Sequence, residues 1–450
     1  MRLLFLLLGQ LANPSFEEGL KGWELESGAQ QGDGPAAAVE VVGGELRFTS
    51  DSAARRWPMA TQMVDCPEGS RVRFTVAGRC RGLRREGAQF ENANAVVIFL
   101  GSGGGRLGIV GSPVLRGDRD RVDLHIHTFA PPATARAKVA VFSSMSGTAW
   151  FDDARLEIAP AEDRAPAAEA LRLHFDRTYP YLDLHGAPGA LGEGEIGRAL
   201  KEMLAPLKDL HVWIETPKGP VYTVEGNPNP PNWNGKAIHA RLTEVLFRSP
   251  AHLVGRIGEI GYVAIGAWKE EGFGDLEAAI GKVADARALI LDVRANGGGD
   301  ELLARRIAGR FAKEPVVYGL AQPRDPTLPG NGFLDPIEKR FDPYCLPGEH
   351  DARRVVVLQG PYCASSTEWF LLMMGALDNV TTVGLPSRGA TGNPQPFALW
   401  PGINVRVPTQ RGLMLNGTVI EGRGIPPDEE VGRGEEGKDA ALERTLEILR

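Results

Sequence analysis

One serine stands where the sequence pattern places the junction of a strand and a helix. The apolar run 354–358 predicts a buried strand, the segment 369–377 predicts an apolar helix, and Ser365 lies between them. Free amides and the dipole at a helix start can stabilise an oxyanion, so Ser365 is a candidate nucleophile. A structural alternative is equally simple: Ser365 or Ser366 could be a helix N-cap, with Glu368 completing a capping box.

A glycine-rich strand end could supply the second half of such a site. The predicted strand 287–293 runs into Ala295-Asn296-Gly297-Gly298-Gly299, after which a helix is predicted. Consecutive glycines allow backbone N–H groups to approach a ligand closely, which suggests a second oxyanion donor. A phosphate-binding loop is disfavoured because no G-K-[ST] follows. A tight turn without function remains open.

Three motifs in this order resemble the C-terminal processing peptidases and the tricorn protease core. They are the D-V-R-x-N-x-G-G run at 292–299, the Ser-x-x-Glu turn at 365–368, and the tail Glu-Gly-Arg-Gly-Ile-Pro-Pro-Asp at 421–428. The resemblance spans about 171–432. It implies a serine endopeptidase, tail-specific or tricorn-like, whose α/β core is a spiral of ββα units of the ClpP/crotonase type.

The family divides over its general base. Its processing branch uses a Ser–Lys dyad, but the position of that lysine falls here within 389–392, and Lys438 is the only lysine after Ser365. The tricorn-like branch uses a histidine from the end of a helical subdomain and a glutamate near the C-terminus. The turn 207–212 resembles the first of these and carries His211, while Glu421 resembles the second.

The resemblance therefore implies a role for each residue. Ser365 is the nucleophile, His211 is its general base, Glu421 orients the pair, and the amides of Gly298 and Ser366 form the oxyanion hole. Further candidates for support of these groups are Asp209, Gly297 and Thr391. Two departures stand out: Leu210 occupies the position of a serine that precedes the histidine in tricorn, and no PDZ domain is recognisable.

Composition excludes several other classes of function. The 450 residues carry a net charge of -7, and no long block of lysine or arginine occurs, so neither nucleic acid nor an anionic membrane is expected as a partner. The four cysteines include no C-x-x-C pair and the eight histidines no H-x-x-x-H spacing, so we expect no metal and no cofactor. Cys66 and Cys80 could be a disulfide or buried thiols.

The candidate catalytic residues must be positioned by the domains that the sequence predicts. Short alternating stretches predict an all-β sandwich over 13–159, followed by a linker at 160–170 and a helical subdomain at 171–216 that carries His211. The Pro- and Gly-rich segment 217–250 is predicted to be an extended connection. Alternating strands and helices over 251–450 predict an α/β core whose sheet is covered on both faces. The fold class is thus multidomain.

The first and last parts of the predicted sandwich, at 13–20 and 149–156, resemble jelly-roll domains of the carbohydrate-binding-module type. Trp23 and Trp150 could stack on a sugar or belong to the core, so a glycan or protein ligand is possible there. His125 and His127 share one face of a strand and are expected at the surface. Arg2 and the apolar run 3–8 suggest a signal peptide, and hence a secreted or periplasmic protein, and no later run could span a bilayer.

Three hypotheses about function follow. The first is a serine peptidase that acts on polypeptides. The second is a binding protein on a catalytically inactive peptidase scaffold, and the third is an esterase or amidase with the same triad. The sequence does not distinguish substrates or oligomeric states.

Overall fold

The computed structural model describes residues 11–29, 37–51, 56–84, 92–160, 165–325, 332–344, 350–400 and 402–450. The segment 2–8 that suggests a signal peptide lies outside these residues, as does Cys345. None of the helices described is long and apolar enough to cross a membrane.

The N-terminal region is a sandwich of two five-stranded antiparallel sheets. Its strands are β1 (Glu24–Ala29), β2 (Ala38–Val42), β3 (Glu45–Ser50), β4 (Arg56–Asp65), β5 (Arg71–Arg84), β6 (Ala93–Gly101), β7 (Arg106–Gly111), β8 (Gly117–Phe129), β9 (Thr134–Ser143) and β10 (Ser146–Ala159). The sheet orders are β1-β4-β9-β6-β7 and β2-β3-β10-β5-β8. Alternate residues such as Val72, Phe74 and Val76 face the shared core, as strand periodicity predicts.

Details of the sandwich differ from the sequence prediction. Residues 13–20 form turns rather than a first strand, because Asn13, Phe16 and Gly19 adopt positive φ angles there. Phe16 is buried in the core and Leu20 packs against it. Trp23 is also a core residue, and its indole donates a hydrogen bond to the Asn13 carbonyl. The Arg79 guanidinium lies 4.0 Å from the ring centre of Trp150. Trp23 is therefore not available for stacking on a sugar, and Arg79 covers one face of the half-buried Trp150.

The cysteines of the sandwich are buried free thiols, so the alternative of a Cys66–Cys80 disulfide is not what the structure contains. Burial raises the pKa of Cys66 to about 12 and that of Cys80 to about 11. Both thiols are therefore protonated and inert near neutral pH.

Helices and two small sheets connect the sandwich to the core. The elements are α1 (Ala165–Thr178), α2 (Leu182–His185), α3 (Ile196–Leu204), a 3₁₀ turn (Ala205–Leu207), β11 (Trp213–Thr216), β12 (Gly219–Tyr222), α4 (Gly235–Arg241) and β13 (Glu244–Arg248). The linker predicted at 160–170 is thus helical from Ala165. The connection predicted at 217–250 contains two strands and a helix, since Asn234 caps α4 with its side chain and tertiary pairing overrides the Pro/Gly composition.

The remaining chain forms the α/β core. Its elements are β14 (His252–Ile257), β15 (Ile260–Ile265), α5 (Phe273–Gly281), β16 (Ala288–Asp292), α6 (Glu301–Gly309), β17 (Val316–Pro323), β18 (Ile337–Phe341), β19 (Arg354–Gln359), α7 (Ser366–Gly375), β20 (Val380–Gly384), β21 (Gln395–Trp400), β22 (Ile403–Val407), β23 (Gln410–Leu413), β24 (Glu429–Glu430) and α8 (Ala440–Ile448). The large sheet has the order β13-β14-β15-β16-β19-β20-β24 and is parallel from β15 onward.

Both faces of the large sheet are covered, as its continuous apolar strands predict. Residues of α5, α6 and α7 pack on one face, and residues of α4 and α8 pack on the other. Two smaller sheets, β12-β11-β22-β21 and β18-β17-β23, complete the core. Phe129 of β8 packs in the same cluster as α1, α3 and β22, so the sandwich lies directly against this region. The predicted multidomain fold, a β-sandwich followed by an α/β core, is confirmed.

Candidate active site

Ser365 lies in a strained turn between β19 and α7. Its φ of 56° and ψ of -126° fall in a region that side-chain-bearing residues rarely adopt. The backbone N–H donates to the Ala390 carbonyl at 2.8 Å, while the carbonyl accepts from the amide of Glu368 at 2.9 Å. The turn therefore fixes the backbone on both sides of a serine that is only partly buried among buried neighbours.

The side chain of Ser365 does not cap the helix, although the sequence allows that reading. It makes no capping hydrogen bond to α7. Glu368 does not complete a capping box either, because its carboxylate accepts from the Ser387 hydroxyl and from the amides of Gly389 and Ala390. The Ser365 hydroxyl is thus left available, and Glu368 holds the loop whose Ala390 carbonyl binds the Ser365 amide.

The charged residues of the D-V-R run have a structural role. Arg294 is fully buried, donates to both carboxylate oxygens of Asp292, and binds Asp439 at the start of α8 at 2.7 Å. It also donates to the Asn232 carbonyl. These contacts tie the end of β16 to α8, and so they fix the position from which the glycine-rich loop departs.

Gly298 lies directly against the nucleophile. Its φ is 115°, and a Cβ atom built on it would be 2.7 Å from the Cβ of Ser365 and 3.0 Å from the Ala364 carbonyl oxygen. Gly297, by contrast, has open space around it. Only glycine fits at 298, because both the backbone angle and the contact exclude a side chain.

The two amides predicted for the oxyanion hole differ in availability. The Ser366 N–H, at the first position of α7, has no hydrogen-bond partner among the described residues, while the Ser366 hydroxyl is held by the Gly299 carbonyl at 2.6 Å. The Gly298 N–H donates to the Asn296 side-chain oxygen at 2.9 Å. Of the predicted pair, Ser366 is free and Gly298 is already engaged, because the loop closes on its own asparagine.

Asp209 and His211 form one buried turn ahead of β11. An Asp209 carboxylate oxygen accepts from the His211 backbone amide at 2.7 Å, and the other accepts from the Tyr179 hydroxyl at 2.7 Å. The imidazole of His211 is buried, and its Nδ1 has no partner among the described residues. Burial lowers the pKa of His211, opposed by Asp209, so the ring is neutral at pH 7.

Glu421 is buried and meets a histidine that the sequence does not single out. Its Oε2 accepts from the Thr391 amide at 2.9 Å, and its Oε1 lies 3.3 Å from Nε2 of His185. Burial, with repulsion from Asp209, raises the pKa of Glu421 well above its ordinary value. The short helix α2 brings His185 to this carboxylate, and the described residues show no hydrogen bond between Glu421 and His211. The orienting role of Glu421 stays a prediction.

The predicted residues thus fall into two neighbouring groups. Ser365, Ser366 and Gly298 are in contact at the start of α7. The second group contains His211 and Asp209, together with Glu421 and Thr391. The groups meet through the adjacent residues Ala390, which binds the Ser365 amide, and Thr391, which binds Glu421. Within the described part of the chain no hydrogen bond joins His211 to Ser365 or to Glu421.

Several residues of the site were not predicted. His185, Tyr179 and Tyr181 surround Glu421 and Asp209, and the Tyr181 hydroxyl donates to the Thr391 carbonyl at 2.8 Å. In the sequence, Leu171, Phe175 and Tyr179 follow a near-helical spacing, which indicates a buried position for Tyr179 but not a polar contact. His185, Asp209 and Glu421 form the one group in the described residues whose ligand atoms, all within 4.8 Å of one another, could hold a metal ion.

Comparison with known proteins supports a peptidase. Residues 259–431 match the model of peptidase family S41. A candidate peptidase from Parabacteroides merdae has a similar solved structure, with 25% identity and a TM-score of 0.53, covering 64% of this chain and 97% of that one. No curated protein matches the chain.

Two further solved structures are similar to parts of the chain. The photosystem II D1 C-terminal processing protease has 15% identity and a TM-score of 0.39, covering 64% of this chain and 97% of that one. The tricorn protease has 18% identity and a TM-score of 0.32, covering 43% of this chain and 18% of that one. The match over 259–431 confirms the resemblance to the processing-peptidase and tricorn-like family for that part of the chain.

Proposed function

From the premise that residues 259–431 form a peptidase family S41 core, we propose that the chain is a serine endopeptidase that forms an acyl-enzyme on Ser365. The observation that carries the proposal is the turn at Ser365. A non-glycine residue is held at a positive φ there, its hydroxyl caps nothing, and glycine alone fits beside it. Such strain persists where the surrounding structure enforces it, and it clusters at active sites.

His211 is the proposed general base. A buried, neutral imidazole can accept the Ser365 proton as the hydroxyl oxygen attacks the peptide carbonyl carbon. The tetrahedral intermediate then collapses, His211 returns the proton to the leaving amine, and the acyl-enzyme remains. Water, deprotonated by the same imidazole, releases the second product as a carboxylic acid. The Ser–His hydrogen bond would form on substrate binding, since catalytic hydrogen bonds are often long in unliganded enzymes.

The oxyanion is assigned first to the Ser366 amide, which is free at the helix start. Gly298 would join it once the Asn296 side chain releases its N–H. Glu421 would act on the imidazole through the buried group that contains Asp209 and His185. Burial raises the pKa of Glu421 well above its ordinary value, which favours the protonated form of its carboxyl group.

A fluorophosphonate label followed by peptide mapping tests the proposal. We expect the label on Ser365 in the wild type, no labelling of Ser365→Ala, and cleavage of unfolded protein substrates by the wild type alone. If the folded wild-type protein is not labelled, the assignment of Ser365 as the nucleophile is refuted. Turnover of small esters with no cleavage of any polypeptide would instead favour the esterase or amidase reading.

One observation favours a second candidate function, a binding protein on an inactive peptidase scaffold. His211 and Ser365 are not hydrogen bonded in the described structure, and Glu421 contacts His185 instead. Under this alternative, polypeptides would bind with equal affinity to the wild type and to Ser365→Ala, and neither protein would be labelled.

Export is a separate proposal that rests on Arg2 and the apolar run 3–8. Cell fractionation with N-terminal sequencing tests it. Mature protein that starts after about residue 12 in a periplasmic or culture fraction supports export, and intact Met1 in the cytosol refutes it.

A further inference from the structure

A large cavity lies between the sandwich and the core, away from the turn at Ser365. Its volume is about 960 Å³, near the upper end of ligand pockets (~300–1,000 Å³). Strands β7 and β8 line it from the sandwich, while α1 and β21 line it from the other side. It is therefore formed only where the two parts of the chain meet.

Three sheet edges face this cavity. Strand β7 ends one sandwich sheet, β8 ends the other, and β21 ends the sheet β12-β11-β22-β21. The cavity is lined by four consecutive residues of β21, 395–398, and by the consecutive residues 107–111 of β7. Successive side chains of a strand point to opposite faces of its sheet. When consecutive residues of a strand all line the cavity, the cavity therefore lies beside the edge of that strand. Sheet edges bind extended polypeptides through their unpaired backbone groups.

The wall of the cavity carries an arginine without a partner. Arg177, in the last turn of α1, is partly buried and makes no hydrogen bond or ion pair with another described residue. Burial lowers its pKa, and the nearby carboxylates of Asp176 and Asp123 only partly oppose that effect. A half-buried cation without a partner is unfavourable, and an anionic ligand would relieve the cost.

The other charged groups of the wall do not neutralise Arg177. Asp325 is paired with Arg119 at 3.4 Å, and Arg324 donates to the Tyr179 carbonyl. His125 and His127, expected at the surface, are instead half-buried in this wall. Burial, with nearby arginines, lowers the pKa of each to about 4, so both are neutral at pH 7. The cavity is therefore positively charged at neutral pH.

The cavity is also joined to the nucleophile by a short piece of backbone. Strand β21 begins at Gln395, and Ala390, five residues earlier, accepts the hydrogen bond from the Ser365 amide. Five residues of chain span at most about 18 Å. A polypeptide extended along β21 would thus reach the Ser365 turn within about five of its own residues.

We propose that this cavity binds an extended polypeptide segment that carries a carboxylate, with Arg177 pairing to that carboxylate and the edge of β21 pairing to the backbone. The inference rests on the proposed function, since the bound segment is part of the substrate cleaved at Ser365. The carboxylate is either the chain terminus or an Asp or Glu side chain.

Fluorescence anisotropy with Ser365→Ala as the background protein tests binding without cleavage. The probes are fluorescein-labelled ten-residue peptides in matched forms: a free or amidated C-terminus, and one Asp or Asn about five residues from the scissile bond. We expect Arg177→Gln to weaken binding of the carboxylate-bearing form about 10-fold or more, Arg177→Lys to retain part of it, and the neutral form to bind both proteins equally weakly. Comparison of the two peptide series identifies the source of the carboxylate.

Arg172→Gln is the matched control, because Arg172 is on the same helix but exposed and outside the cavity wall. It should bind every peptide as the background protein does. Equal affinities for Arg177→Gln and Arg172→Gln, in proteins with equal melting temperatures, would overturn the inference. Binding of an oligogalacturonate with no binding of any peptide would also overturn it.

Fluorophosphonate labelling of wild type and of Arg177→Gln separates this inference from the proposed function. If the wild type and Arg177→Gln are both labelled normally and Arg177→Gln binds peptides as the background protein does, the cavity is not a peptide-binding site, while the proposed peptidase function stands. Arg177-dependent binding with no labelling of the wild type refutes the peptidase and leaves the cavity as a polypeptide site.

Discussion

Replacing Gly298 with alanine adds one methyl group against the nucleophile. The new Cβ would lie 2.7 Å from the Cβ of Ser365, whereas ordinary contacts begin at 3.4 Å, so the two atoms must separate by at least 3.4 − 2.7 = 0.7 Å. The Ala364 carbonyl oxygen, at 3.0 Å, blocks the other direction. The φ of 115° also disfavours any side chain at this position.

The magnitude follows from how this strain is relieved. If nothing moved, the backbone angle would cost about 1–3 kcal/mol and the overlap about 1–3 kcal/mol more. The turn at Ser365 is partly exposed, so a shift of the serine is the easier response. A misplacement near 1 Å can lower a rate about 10²-fold. We therefore expect Gly298→Ala to slow acylation of Ser365 about 10²-fold while lowering the melting temperature by only a few degrees.

The assay is the rate of fluorophosphonate labelling, measured beside thermal unfolding. Gly297→Ala is the matched control, because a Cβ there meets open space, and it should label at the wild-type rate. Labelling of Gly298→Ala at the wild-type rate with an unchanged melting temperature would refute the geometry proposed for the turn. Equal slowing by both variants would show that the loop, rather than the contact with Ser365, matters.

Three further predictions concern buried ionisable residues. His211→Ala should slow single-turnover acylation about 10²–10⁴-fold and His185→Ala less than tenfold, because Nε2 of His185 is already in contact with Glu421 whereas Nδ1 of His211 has no partner among the described residues. Equal losses in the two variants would contradict the assignment of His211 as the base. Burial raises the pKa of Glu368 to about 7 from an ordinary 4.5, so its stabilising contribution is complete below about pH 4.5 and is lost as the pH rises through 7. Between about pH 4.5 and pH 7 the free energy of urea unfolding should fall by up to roughly 3 kcal/mol more in the wild type than in Glu368→Gln. Parallel pH profiles of the two proteins would contradict this prediction. Asp439→Ala leaves the fully buried Arg294 without one of its carboxylates and should cost about 3–5 kcal/mol in the same assay, whereas a loss below about 1 kcal/mol would show that Asp292 alone compensates the charge.

Local sequence pattern was sufficient for the elements that carry the site. The apolar run 354–358, predicted to be a buried strand, lies within β19 (Arg354–Gln359), and the segment 369–377, predicted to be a helix, corresponds to α7 (Ser366–Gly375). Apolar periodicity and the strand-to-helix junction depend on neighbouring residues, which a single sequence displays. The same is true of the glycine run at 297–299, whose positive φ angles at 298 and 299 require glycine.

Local sequence pattern did not determine the contacts between segments that are distant in the chain. Glu421 meets His185 across 236 positions of sequence, and the Gly298 amide is taken by Asn296 because of how one loop closes. The partnerless Arg177 and the cavity it lines exist only because the sandwich packs beside β21. Ser365 illustrates both sides, because its local sequence allowed a helix cap as well as a nucleophile. Only the packed turn, which fixes its backbone at a positive φ and directs no hydroxyl contact to the helix, distinguishes the two.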